Sequence, residues 1–123
     1  MSVIDILGQA QSLTIQERKL LVKLLVDRQI PLGICPTSNV ALGVYASIQD
    51  HPIDRLRRAG VAVSINTDDP VLLGASLVGE YALCHKAFAW SDDVLRALAR
   101  NSIDASFAPL NVKATLVQAL SRW

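Results

Sequence analysis

Two short apolar runs, each ending in a polar segment, constrain the fold of this 123-residue chain most strongly. The first run covers residues 31–35, and the second, rich in β-branched residues, covers 61–65. Between them, the segment 52–59 repeats apolar residues at helical spacing and ends before Gly60, a typical helix terminator. An order of strand, helix and strand predicts a crossover between two parallel strands. The pattern therefore predicts an α/β fold.

Two adjacent carboxylates, Asp68 and Asp69, follow the second predicted strand. Ligands of parallel α/β folds bind at the carboxyl ends of the strands. On an extended backbone the two neighbouring side chains point in opposite directions, which would let one carboxylate face a metal and the other a substrate. Asp69 before Pro70 also suits the N-cap of a helix, and this is the structural alternative for that residue.

The first predicted strand ends in a second polar segment, residues 36–39, which contains Ser38 and Asn39. Pro36 predicts a polar turn that leaves these hydroxyl and amide groups at the same edge of the sheet as the acidic pair. Polar side chains at such positions more often satisfy backbone groups than bind substrates. They are therefore supporting candidates for a site.

The polar segments, taken in order, closely resemble the adenosine deaminase family. The resemblance runs from about residue 21 to about residue 109, and it rests on the segments 34–39, 51–52, 65–70 and 80–81. Two signature motifs of this length in the right order make chance agreement improbable. The resemblance implies part of an eight-stranded (β/α)8 TIM-type barrel with one catalytic zinc. It predicts the C-terminal part, with about two parallel strands, further helices and a helical tail.

The resemblance also implies a role for each acid. Asp68 matches the aspartate that binds zinc and orients the hydrolytic water, and Asp69 matches the acid that hydrogen-bonds the purine nitrogen N7. Zinc lowers the pKa of bound water toward about 7, and the hydroxide attacks C6, so that adenosine or deoxyadenosine becomes inosine or deoxyinosine and ammonia leaves. Behind these acids, Ser38 and Asn39 would fix the neighbouring strand end, and Thr67 would orient a carboxylate.

The other ligands of the family's zinc do not occur in this sequence. The family supplies a His-x-His pair, further histidines and a His-Ala-Gly-Glu segment with the proton-shuttling glutamate, whereas this chain has two histidines. His51 precedes Pro52 at a predicted helix start, which favours capping or packing, and His85 lies within a predicted helix. We expect that the isolated chain neither holds zinc tightly nor turns over adenosine.

The chain length sets the expected domain organisation. A chain of 123 residues suffices for one domain, whereas an eight-stranded barrel needs about 250. We predict a divergent segment at 1–13, barrel-like βα units at 14–90, and C-terminal helices at 91–123. Because two strands cannot close a barrel, we expect open strand edges, exposed apolar surface and weak stability. A separate N-terminal barrel half or self-association would supply the missing contacts.

Several helix signals are local. Thr14 and Glu17 have the spacing of a capping box, and the apolar face of the helix that follows is predicted from Leu20, Leu21, Leu24 and Leu25. Further along, the pattern predicts a break near Asn101 and Ser102, a short helix at 103–107, and a last helix at about 112–120.

Composition narrows the classes of partner. A net charge of +1 predicts no basic surface for nucleic acid. The cluster of arginines at 55–58 is predicted to lie on the solvated face of a helix. The apolar runs are too short to span a bilayer. Cys35 and Cys84 have no paired spacing, and no secretory segment favours a disulfide, so cytoplasm is the expected location.

Two functions are open at this point, and a third is set aside. The first is a purine nucleoside deaminase whose site is completed elsewhere; the segment 35–39 favours adenosine, because adenine deaminases often carry Leu at the position of Thr37. The alternative is a non-catalytic barrel remnant or a protein-interaction module. A phosphotransfer receiver with an Asp-Asp magnesium site is set aside, since no third acid and phosphoacceptor follow separate strands.

Overall fold

Two parallel strands form the centre of the fold in the computed structural model, which describes residues 12–123. Strand β1 is Leu32–Ile34 and strand β2 is Val63–Ile65. The register sets Ile34 opposite Ile65, with the strands parallel as predicted. Residues 1–11 of the predicted divergent segment lie outside the described residues.

Helices surround this small sheet. They are α1 (Ile15–Asp27), α2 (Pro36–Ala41), α3 (Ile53–Arg58), α4 (Pro70–Leu73), α5 (Leu77–Phe88), α6 (Asp92–Ala105) and α7 (Leu110–Leu120), with one 3-10 turn at Ile48–Asp50. Among the described residues, no helix is long and apolar enough to cross a membrane. The predicted combination of two parallel strands, surrounding helices and a helical tail is confirmed.

One face of the sheet forms the core. Strand alternation places Ile34, Val63 and Ile65 on the same face, where all three are buried. They belong to a cluster with Ile53 of α3 and Leu98 of α6, which are 0% and 1% exposed. The crossover helix α3 and helix α6 therefore cover the same side of the sheet.

The opposite face is small and polar. Gly33 and Ser64 lie side by side there, and the amide of Asn66 donates to the Ser64 hydroxyl at 3.3 Å. A Cβ on Gly33 would stand 3.1 Å from the Asn66 amide nitrogen, so a larger side chain would displace this amide. The side chains on the core face are therefore larger and apolar, whereas those on the opposite face are small or polar.

Helix α6 runs without a break, so the predicted break near Asn101 and Ser102 and the short helix at 103–107 are wrong. Asparagine and serine are weak helix formers, because their side chains compete with the helix for hydrogen bonds to backbone groups. Here the Asn101 amide donates to the backbone oxygen of Val63 at 2.8 Å, and the Ser102 hydroxyl donates to the backbone oxygen of Leu98 at 3.3 Å. A tertiary contact with β2 therefore overrides the local signal.

Helix α1 starts as predicted but packs differently. The Thr14 hydroxyl accepts from the Glu17 backbone N–H at 3.2 Å, and the Glu17 carboxylate accepts from the Thr14 N–H at 2.7 Å. Only one of the four predicted leucines, Leu25, packs against the core, together with Val22 and Val26. The other three remain exposed, at 65%, 43% and 41%: Leu20, Leu21 and Leu24. Exposed apolar surface is thus present, as expected.

The arginine cluster of α3 is not simply a solvated face. Asp54 accepts hydrogen bonds from Trp90 Nε1 at 2.6 Å and Arg57 Nη2 at 2.8 Å, and the Arg57 guanidinium lies 5.7 Å from the centre of the Trp90 ring. Burial raises the pKa of Asp54, but the bonds from Trp90 and Arg57 outweigh it and hold this pKa below its usual value. The group therefore ties α3 to the segment between α5 and α6.

Replacing Asn101 with Ala tests how much α6 depends on its contact with β2. The substitution leaves the buried oxygen of Val63 without its donor, so we expect the free energy of unfolding to fall by about 1–3 kcal/mol. Urea unfolding followed by circular dichroism measures the change. The control is Asn111→Ala on α7, where the asparagine is exposed; equal losses in the two variants would contradict the prediction.

Candidate functional site

Asp68 turns the chain just after β2. Its φ of +59° lies in the left-handed region, which residues with a side chain rarely adopt but which Asp tolerates better than most. The expectation of opposite side chains on an extended backbone is therefore wrong here, because the strand has ended at Ile65. The two acids diverge because the backbone turns between them and Asp69 begins a helix.

Ser38 holds the carboxylate of Asp68. Its hydroxyl donates to Asp68 Oδ2 at 2.7 Å, while Ser38 itself is only 1% exposed. Hydrogen bonds to an ionised carboxylate are short and about twice as strong as neutral ones. The polar segments after β1 and β2 are thus joined directly.

Asp69 caps helix α4. Its Oδ1 accepts the backbone N–H of Leu72 at 3.0 Å, and Pro70 occupies the first helical position. Both features are those of a helix N-cap, which is the structural alternative predicted for Asp69. Asp69 is exposed, and its contact with a purine stays a prediction.

The segment after β1 is the short helix α2, so the predicted polar turn at Pro36 is wrong. Pro36 takes the first position of the helix, where its missing N–H is not needed. Consecutive residues of a helix point about 100° apart, which separates Ser38 and Asn39. Ser38 reaches Asp68, whereas Asn39 reaches His51 on the other side.

His51 is a buried structural histidine. The Ile53 backbone N–H donates to His51 Nδ1 at 3.1 Å, so Nε2 carries the proton and donates to Asn39 Oδ1 at 2.9 Å. The ring also lies 4.7 Å from that of Tyr45. Burial lowers the pKa of His51, which keeps the ring neutral. The predicted capping and packing role is therefore observed at the start of α3.

Glu80 is a buried acid that the sequence pattern did not single out beyond the resemblance. Its Oε2 accepts the backbone N–H of Thr37 at 3.1 Å, and the residue is 1% exposed. Its Oε1 is buried without a hydrogen-bond partner among the described residues. The available signal was its position one helical turn before Cys84, on the face of α5 that packs inward.

Asp68 lies between two cavities. One, of about 620 Å³, is also lined by Asn66, Thr67 and Tyr81. The other, of about 370 Å³, lies on the β1 side and includes Ser38. Thr67 is half-buried beside Asp68, and its orienting role stays a prediction. Carboxylate, hydroxyl and amide groups thus converge at the carboxyl ends of the strands, where they can bind a polar ligand.

The described residues do not form a complete zinc site. Within 12–123, no group of three or more His, Cys, Asp or Glu side chains is close enough to hold a metal. Burial and the neighbouring Glu80 raise the pKa of Cys84 to about 12, so it stays a neutral thiol, and His85 is exposed on α5. A structural or catalytic zinc takes three or four protein ligands, and within 12–123 only Asp68 matches a ligand that the family resemblance predicts.

Comparison with known proteins shows what this arrangement is similar to. The model of the adenosine deaminase family matches residues 11–123. A protein of Streptomyces virginiae, provisionally named an adenosine/adenine deaminase, is 43% identical over 84% of this chain and 30% of its own length. The aminodeoxyfutalosine deaminase of Streptomyces coelicolor is 39% identical over 88% of this chain and 28% of its own length.

A solved structure has the same fold over the shared part. The adenine deaminase of Arthrobacter aurescens superimposes with a TM-score of 0.81 at 35% identity, covering 83% of this chain and 31% of that protein. The chain therefore spans about 30% of the length of the curated relatives it matches.

The neutral His51 predicts how stability depends on pH. Because its pKa in the folded chain is below the unfolded value of about 6.5, the unfolded state takes up a proton first, and the free energy of unfolding falls as pH drops below about 6.5. We expect His51→Gln to reduce this slope between pH 7 and 5.5, as measured by urea unfolding. The matched control His85→Gln, at an exposed site, should keep it; an unchanged slope in His51→Gln would refute the assignment.

Proposed function

Since the chain belongs to the adenosine deaminase family, we propose that it forms the C-terminal part of an enzyme that hydrolytically deaminates a 6-aminopurine. The observation that carries the proposal is the position of Asp68. This acid follows the second parallel strand, its carboxylate is held by a buried serine, and it borders both cavities at the carboxyl ends of the strands. Ligands bind at this end of β/α barrels.

We assign Asp68 as one ligand of a zinc whose other ligands come from outside residues 12–123. Ser38 engages only Oδ2 of this carboxylate, so the second oxygen is the one assigned to the metal. A bound zinc would supply a water of lowered pKa at the site. The role of Ser38 is to restrict the rotation of the carboxylate, and Thr67 supports it from the neighbouring position.

Asp69 is assigned to the purine ring. One of its oxygens caps α4, which leaves the other for a ligand and fixes the orientation of the carboxyl group. Because N7 of a purine is an acceptor, this contact needs a proton shared between N7 and Asp69. Asn39 lies further away, bound to His51, and acts by holding α2.

Adenosine or deoxyadenosine is the substrate that we propose, from the likeness of the segment 35–39 to the nucleoside deaminases. The relatives named above differ in the substrate that their names give, so adenine and aminodeoxyfutalosine are the competing substrates. Thr37, at the start of α2, is half-buried and directly precedes Ser38, which lines one of the cavities beside Asp68.

The partner that we propose is the N-terminal part of the barrel, carried by another segment or by another polypeptide. In the described part, each strand pairs with one neighbour, so each has an open edge that a further strand would cover. Both cysteines are free thiols, which supports a cytoplasmic location.

A specific observation supports the alternative, a non-catalytic interaction module. An apolar cavity of about 380 Å³ lies between α5, α6 and α7, lined by Leu77, Leu95 and Trp123 among others. Together with the incomplete metal site, such a surface suits the binding of another protein.

Turnover in the presence of a complementing half separates these functions. We expect no release of ammonia from the chain alone with zinc and adenosine, deoxyadenosine, adenine or aminodeoxyfutalosine. Adding the N-terminal two thirds of the Arthrobacter enzyme should restore zinc-dependent turnover, because it would supply the missing ligands. The ultraviolet change of the purine on deamination is the measurement.

Two variants make this experiment specific. Asp68→Asn should lower the restored rate by at least about a hundredfold, since one metal ligand is lost, whereas the exposed Asp92→Asn should keep it. If a stable complex with zinc deaminates none of the four compounds, the interaction module is the better description. Turnover that persists in Asp68→Asn would refute the metal assignment.

A further inference from the structure

We propose that Glu80 is a positioning residue that sets the orientation of the Asp68 carboxylate through helix α2. The proposal rests on the proposed function for the role of Asp68, but its geometry is independent of it. Glu80 belongs to α5, after both acids in sequence, and touches neither of them directly. It acts on the helix that carries Ser38.

The first step is the start of α2, which lacks a cap of its own. The N–H groups of the first helical turn have no partner within the helix, and Cys35 at the N-cap makes no side-chain hydrogen bond to them. The Glu80 carboxylate supplies the acceptor from 43 residues away, at 3.1 Å from the Thr37 nitrogen. A remote acid therefore does here what a local Ser, Thr or Asp does elsewhere.

The second step is the short length of the helix. Isolated helices of fewer than about 12 residues are marginal in water, and α2 has six. Its position must therefore come from tertiary contacts. Ser38 follows Thr37 directly, so a shift at the start of α2 moves the hydroxyl that lies 2.7 Å from Asp68. Hydrogen bonds weaken steeply beyond about 3.2 Å and at poor angles, so a small shift is enough.

The third step is the unfavourable energetics of Glu80 itself. The side chain is buried, yet Oε1 has no partner among the described residues. A half-satisfied buried carboxylate costs stability, and an apolar residue in its place would remove the unpaired Oε1 but also leave the Thr37 N–H without its acceptor, so the two effects on stability oppose each other. An acid at this position therefore contributes geometry rather than stability. Violations of this kind are typical of functional sites.

The test separates geometry from stability with two substitutions at one position. Glu80→Met keeps the shape but removes the acceptor, and Glu80→Gln keeps an acceptor for the Thr37 N–H. Cys84→Ala is the matched control, since it truncates a buried side chain one turn further along α5. For each variant we would measure the melting temperature, hydrogen exchange of the Asn39 and Leu42 amides, which bond to the Cys35 and Ser38 oxygens along α2, and the Ser38 to Asp68 distance in a crystal structure.

We expect Glu80→Met to melt close to the wild-type chain, because the lost Thr37 acceptor and the removed unpaired oxygen oppose each other, while exchange at these amides speeds up at least about tenfold and the Ser38 Oγ to Asp68 Oδ2 distance exceeds about 3.5 Å. Glu80→Gln should restore slow exchange and the short distance, and Cys84→Ala should melt lower with the distance unchanged. The proposal is overturned if Glu80→Met fails to fold or keeps the short Ser38 to Asp68 distance. It is also overturned if Glu80→Gln shows the same fast exchange and long distance as expected for Glu80→Met. None of these readouts needs turnover, so an inactive chain would refute the proposed function alone.

Discussion

The parallel pairing of β1 with β2 is the interaction on which the rest of the structure depends. The Leu32 N–H donates to the Ala62 oxygen at 2.9 Å, and the Asn66 N–H donates to the Ile34 oxygen at 2.8 Å. These bonds set the register, and a slip by one residue would exchange the apolar and polar faces of the sheet. The same register brings the ends of the strands together, so the bond from Ser38 to Asp68 depends on it.

Helix α2 converts this register into a site. It is too short to be stable by itself, and three elements hold it: Glu80 on α5 at its start, Asp68 beyond β2 at Ser38, and His51 before α3 at Asn39. Each contact joins segments that are far apart in the sequence. The orientation of the Asp68 carboxylate therefore depends on how α2 packs against α5 and against the start of α3, and losing one of these contacts would affect the others.

The fold and the site differ in how far local sequence determines them. The strand, helix, strand order, the capping box of Thr14 and the N-cap at Asp69 were all predictable, because each signal is complete within a few residues. The position of Ser38 beside Asp68 also followed, since parallel strands bring their carboxyl ends together, whereas Asn39 binds His51 instead. The roles of Asp68 and Asp69 in metal and purine binding stay predictions from the family resemblance.

Only the tertiary structure decided the interactions whose two partners lie far apart in the sequence. Asn101 remains helical because its amide donates to the backbone oxygen of Val63, and the buried carboxylate of Glu80 accepts the backbone N–H of Thr37. A local pattern records the propensity of a residue but not which remote group satisfies it, so it predicted a break in α6 and gave no role to Glu80. The sequence by itself determined the two parallel strands, the helix between them, several helix caps and the family; packing decided where α2 lies, that α6 continues, and which oxygen of Asp68 Ser38 holds.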